Sequence, residues 1–189
     1  MQRSRVRPLA RLSTRAAPAA LAALFLAACG DSTGPGSGDA ITTLPRDLTA
    51  AEATIVGRSG GFGLDLMARV AADDPRANLV LSPLSASMAL GMTMNGTATS
   101  TFDGMRTALG FDGLTQAEIN DGYRGLIDLL TGLDPDVTFG IGNAVWANEE
   151  FPFHQSFFDT VSEAFDAAVV SADFASPSTL QAINDWVAD

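Results

Sequence analysis

The stretch NLVLSPLSASMALGMTMNG, residues 78–96, carries no charge and constrains the fold more than any other part of the chain. From Leu84 to Asn95 it holds Ala86, Met88, Ala89, Leu90, Gly91, Met92 and Met94, so a helix there has no polar face. Such a helix belongs in the centre of a core or in a membrane. A membrane span needs about 20 apolar residues, and this run is far shorter. The pattern therefore predicts a core helix over 84–95. Ser82-Pro83 predicts its start. The serine hydroxyl can accept from an orphan N–H of the first turn, and proline at the first helical position lacks only a donor that would go unused. Ser85 and Ser87 then read as small buried polar residues bonded to nearby backbone.

The flanking sequence alternates between helical and extended patterns. Asp47–Val56 and Phe62–Ala72 read as helical, with Phe62, Leu66 and Val70 on one stripe, and Gly60-Gly61 between them weakens the case for one continuous helix. The run NLVL reads as a short buried strand. Ser100-Thr101-Phe102-Asp103 has the form of a capping box ahead of Phe102, Met105 and Leu109. Ile119, Tyr123, Leu126, Ile127, Leu130 and Leu133 form an apolar stripe at helical spacing, as do Phe157, Val161, Ala164, Phe165 and Ala168. Between them Val137, Phe139, Ile141 and Val145 alternate as in a strand, and Ala168–Phe174 reads as a second one. Ser176-Pro177 opens a last helix through Leu180, Ile183 and Val187.

The N-terminus is set apart by charge. Arg3, Arg5, Arg7, Arg11 and Arg15 precede an Ala/Leu/Phe run that ends in Leu26-Ala27-Ala28-Cys29, with no acid among them. This is the charged and apolar order of a secretory signal. Its end resembles the lipobox of bacterial lipoproteins, which implies cleavage before Cys29 and lipid attachment to it. Cys29 is the chain's single cysteine, so no internal disulfide can form. The organisation expected is a signal peptide over 1–28, a Gly/Ser/Pro tether over 29–46 and a domain over 47–189. The tether contains Gly30-Asp31-Ser32-Thr33-Gly34, a G-x-S-x-G match without the strand and helix that a nucleophile elbow requires.

The net charge is −11, every basic residue is arginine, and removal of the first 28 residues makes the remainder more acidic still. Such a surface argues against nucleic acid and against attraction to anionic membrane. Any membrane association is expected only through Cys29, and the product is expected to be exported, either extracellular or anchored in a bacterial envelope. His154 stands alone without a second histidine or a nearby thiol, and the carboxylates lack calcium-loop spacing, so neither metal nor cofactor is expected.

Several collinear blocks carry a resemblance. NLVLSPLSASMALGMTMNGTATSTFDGMRTALGF resembles the N-terminal signature of the serpin family. GNAVWAN, FPFHQSFFDTVSEAFDAAVVSADF and INDWV resemble the stretches that follow it, and GFGLDLMARV is similar to the family's first helix. The fold class implied is α+β: the N-terminal part of a serpin fold, with helices around a large central sheet. The resemblance implies an inhibitor of serine or cysteine proteases and no enzyme. In that family a reactive loop is cleaved and inserts as a new strand into the central sheet.

The resemblance also implies roles by position. Ser82 and Ser85 match a Ser-Pro-x-Ser at the shutter, where sheet strands part. Asn143 and Asn184 match polar positions near the same region, and Trp186 an aromatic on the helix over the sheet. The chain is expected to end before the reactive loop, so this piece alone is expected not to inhibit. The alternative reading is a non-inhibitory envelope lipoprotein or the remnant of a decayed serpin gene.

Overall fold

The computed structural model describes residues 41–76 and 78–188. The expected signal peptide, Cys29 and the Gly30–Gly34 motif lie outside the described residues. Six helices and two strands follow in the order α1 (Ala50–Asp73), α2 (Pro83–Met94), α3 (Thr99–Leu109), α4 (Gln116–Thr131), β1 (Asn143–Asn148), α5 (Gln155–Phe165), β2 (Ala167–Ala172) and α6 (Pro177–Ala188).

The two helical patterns join into one continuous helix. α1 runs unbroken through Gly60-Gly61, although glycine weakens a helix interior by about 1 kcal/mol. Its N-terminus is fixed by a capping box between Thr49 and Glu52. Packing does the rest: a Cβ on Gly63 would come 2.8 Å from Pro83 Cγ, so α1 passes directly over the start of α2. α2 itself begins as expected, with Ser82 as N-cap and Pro83 in the first turn. Only one side of it is buried, through Ser87, Met88, Gly91, Met92 and Met94. Leu90 remains 37% exposed, so the apolar far side of this helix is not covered among the described residues.

Other expectations need correction. α3 starts after Ala98 with no side-chain cap, and Ser100 lies inside the helix, so the capping box does not form there. The box belongs instead to α4, where Thr115 Oγ1 accepts from Glu118 N and Glu118 accepts from Thr115 N at 2.8 Å. That backbone bond holds the exposed Glu118 carboxyl below its ordinary pKa. α3 closes on Gly110 at φ +76°, the left-handed conformation that glycine adopts without strain. The Phe111 N–H then returns to Arg106 O at 2.9 Å and turns the Phe111 ring into the core.

The runs NLVL and Val137–Ile141 form no strand, and Val80 is 95% exposed. An extended run becomes a strand only beside a pairing partner, and none lies next to either among the described residues. β1 and β2 do pair, in parallel, with Asn143 opposite Ala167 and Asn148 opposite Ala172. α5 makes the crossover that a parallel pair requires. The expected stripe of α6 is largely uncovered too, with Leu180 65% and Val187 70% exposed.

The core is centred on Tyr123, which is fully buried. Its ring meets Phe111 edge-on at 6.0 Å and Phe165 at 5.1 Å. The hydroxyl donates to Ser87 O at 3.0 Å, and burial pushes the phenol up to about 12, so it remains a neutral donor. Ile55, Met88, Leu109, Ile119 and Val161 close around it.

At the chain's entry Arg46 grips the buried Glu52 with both terminal nitrogens, at 2.8 and 2.6 Å, and donates to Gly125 O on α4 at 2.9 Å. Thr49 N adds a further bond to the same carboxylate at 2.7 Å. These bonds, the Arg46 pair foremost, outweigh desolvation and lower the Glu52 carboxyl to about 2.

Two predictions follow from this packing. A Cβ on Gly91 would lie 2.8 Å from the Tyr123 ring and 3.1 Å from Phe165, so Gly91→Ala should cost about 1–3 kcal/mol, read as a lower urea midpoint. The Glu52 pKa is depressed on folding, so its contribution is full above the ordinary value of 4.5 and is lost as pH falls from there toward about 2. Urea titrations across that window should show a steeper loss of stability in the native chain than in Glu52→Gln, which is less stable at neutral pH.

Candidate functional site

The serines and one of the two asparagines singled out by sequence meet at a single cleft of about 290 Å³. Ser82 and Ser85 stand on one wall with Leu84 and Met88 of α2, and Ile141 and Asn143 form the other. The wall positions follow from local structure. Ser82 sits at the cap because its side chain accepts from Ser85 N at 3.3 Å, and one turn of helix then brings the two hydroxyls to 2.8 Å. Both hydroxyls are exposed, so of Ser85 and Ser87, the two serines expected to be buried, only Ser87 is.

Asn143 is the first residue of β1, and its side-chain amide donates to Phe165 O at 2.8 Å. Phe165 ends α5, where carbonyls have no partner within the helix. The following residue, Asp166, turns the chain at φ 51° into β2. Asn143 thus caps the end of the crossover helix and pins it to the strand beside which β2 must run. The same amide lies 4.0 Å from Met88 Sδ, so α2, β1 and α5 converge on one side chain.

Asn184 is not part of this convergence. It is exposed on α6 and does not line the cleft. The contact from α6 comes from Trp186, whose ring lies 3.7 Å from where a Gly142 Cβ would be. His154 lies elsewhere, at the N-cap of α5 without a side-chain cap bond, in a cavity of about 380 Å³ with Phe153 and Phe157. Among the described residues the cleft is lined by hydroxyl, amide and apolar groups, which suit hydrogen bonding and steric closure. Among the described residues no cluster of three His, Cys, Asp or Glu is placed to hold a metal, and no helix is long and apolar enough to cross a membrane.

Sequence reasoning missed three polar joints. The first is Tyr123 to Ser87 O. The second is Arg46 with Glu52 and Gly125. The third is a reciprocal amide pair between α2 and α4, with Asn95 Nδ2 to Asn120 Oδ1 at 3.1 Å and Asn120 Nδ2 to Asn95 Oδ1 at 2.8 Å. The T-A-A-E spacing at 49–52 offered a local signal for Glu52, as the capping box of α1, and the other two joints had none.

Comparison with known proteins gives this geometry a family. The model of "Serpin (serine protease inhibitor)" matches residues 58–189. Human serpin A9 is 32% identical over 130 residues, which is 67% of this chain and 31% of serpin A9. Mouse thyroxine-binding globulin is likewise 32% identical over 130 residues, covering 67% of this chain and 31% of that protein. Among solved structures, human thyroxine-binding globulin superposes with a TM-score of 0.67 at 28% identity, over 73% of this chain and 38% of that one. The parallel pair, its crossover helix and the serine-capped core helix are those of a partial α+β serpin fold, and the chain belongs to the serpin family. It spans about a third of the length of the curated relatives it matches.

The latch at Asn143 gives a direct test of the site's construction. Asn143→Ala should cost about 1–3 kcal/mol and raise amide exchange in β2, because it leaves Phe165 O unpaired. Asn184→Ala should change stability by less than about 0.5 kcal/mol, as an exposed substitution does. Equal effects at the two positions would remove the distinction.

Proposed function

We propose that the chain supplies the N-terminal part of an exported serpin-type inhibitor of serine endopeptidases, one that works by reactive-loop cleavage and strand insertion. The observation that carries the reading is the Asn143 latch at the head of a parallel strand pair. It stands beside a cleft bounded by the Ser82–Ser85 hydroxyl couple. β1 is bonded on one side only among the described residues, and its other edge can accept a further strand. Parting or closing of strands at that edge would move Asn143 against α2 and α5, which is how a gate built on Ser82, Ser85 and Asn143 would sense it. Asn184 enters the proposal as an outer position, on the helix whose Trp186 reaches Gly142. The reactive loop and the choice of target protease belong to the portion of a serpin beyond the matched third.

Export and anchorage complete the reading. The basic, apolar and small-residue order ending at Leu26-Ala27-Ala28-Cys29 supports cleavage before Cys29 and a lipid on it, in a bacterial envelope. The second reading is a non-inhibitory binding or passive lipoprotein, favoured by the likeness to a thyroxine-binding globulin.

The discriminating experiment mixes purified protein with trypsin-like and subtilisin-like proteases and looks for complexes that survive denaturing gels. The chain alone should form none. The chain extended by the remaining two thirds of a serpin, with its loop, should trap a protease. An extended protein that folds and is merely digested would favour the second reading. Stoichiometric inhibition by the chain alone would overturn the division of labour proposed.

A further inference from the structure

The α2–α4 amide pair has a consequence that does not depend on the inhibitor reading. Asn95 is followed by Gly96 at the end of α2. In an unconstrained chain this dipeptide is prone to cyclise, because glycine carries no side chain to shield its amide nitrogen. The Gly96 nitrogen, having lost its proton, attacks Asn95 Cγ. A C–N bond forms, the Cγ–Nδ2 bond breaks, and ammonia leaves. Water then opens the resulting imide at either carbonyl and yields aspartate or isoaspartate. Water is the only co-reactant.

The fold opposes each requirement of that reaction. Asn95 is held in helical conformation at φ −65° and ψ −19°, and ring closure needs rotation away from it. The Gly96 N–H donates to Thr93 O at 3.0 Å. Asn95 Nδ2 donates to Gly91 O at 3.0 Å and to Asn120 Oδ1 at 3.1 Å, while Oδ1 accepts from Asn120 at 2.8 Å. Gln116 Nε2 steadies Asn120 from the next turn at 2.9 Å. Access is not the barrier. Gly96 is exposed, and both residues border the open cavity shared with Pro152, Phe153 and His154. The triplet Asn95-Gly96-Thr97 also meets the N-x-[ST] spacing, yet the amide that would carry a sugar is turned inward to α4.

We propose that Asn95-Gly96 is a latent imide-forming modification site, kept silent by the α2–α4 amide lock and converted irreversibly in chains where that lock opens. Conversion would place a carboxylate where an NH₂ now donates, opposite the acceptors Gly91 O and Asn120 Oδ1. A chain so marked could not close the lock again. The pair would act as a one-way record of opening between the two helices.

The test follows conversion at residue 95 by peptide mapping with isoaspartate detection, using the full chain in mildly alkaline buffer. In native buffer conversion should be at least roughly tenfold slower than in unfolding urea, by a factor set by how seldom the lock opens. Asn120→Ala leaves the dipeptide intact and should speed native conversion several-fold, with circular dichroism confirming the fold. Gly96→Ala meets only ordinary contacts near Phe157, at 3.5 Å, and should slow conversion in urea. If Asn120→Ala does not fold, the unaltered chain decides. Its conversion rate in sub-denaturing urea should climb in step with hydrogen exchange at Asn95 and Gly96. Equal rates in native buffer and urea, or a rate that ignores that exchange, would sink the proposal.

Discussion

The ring of Tyr123 lies against the bare backbone of Gly91, and the rest of the packing follows from that contact. With no side chain at 91, α4 brings its aromatic ring down onto α2, where the hydroxyl finds Ser87 O and the ring meets Phe165 from α5. Three helices therefore share one buried aromatic, and a single methyl group added at the contact would push against two rings at once. The same helix solves a second problem one residue away. A Cβ on Gly122 would lie 2.6 Å from Ile55, and one on Gly125 would collide with the Glu52 carboxylate. One helix thus carries a large residue toward α2 and two absent side chains toward α1.

Helix existence was legible where the apolar spacing was long, as in α4 and α5, and where a cap was local, as at Ser82-Pro83. The errors came from interactions with no local signature. α1 survives its glycines because α2 and α4 press on it, which no helical propensity reports. Alternation at Val137, Phe139, Ile141 and Val145 points to one strand, yet only Val145 lies in β1, because alternation is a condition for pairing and the partner decides. Of the positions inferred from resemblance, Ser82, Ser85 and Asn143 share a cleft because the cap, one turn of helix and the first residue of a strand converge there. Asn184 does not join them, since its face of α6 turns outward. The amide pair of Asn95 and Asn120 was invisible because it joins residues from two helices at no characteristic spacing.

Membership of the serpin family gives the exposed apolar residues a context. Val80, Leu180 and Val187 would be a solubility liability on a finished surface. The chain spans about a third of the relatives it matches, and these three residues stand exposed among its described residues. The polar joints are all internal to this third. Arg46 with Glu52, Asn95 with Asn120 and Asn143 with Phe165 need nothing from outside it.

The parallel pair of β1 and β2 is closed by a crossover confined to residues 149–166. A pairing this local carries a small loop-closure cost and sets an order of events during synthesis. The N-terminal helices and this strand pair can settle together as soon as β2 has left the ribosome. The register of the pair is thus set by residues made close together in time, and the order of synthesis itself favours the pairing that the fold uses.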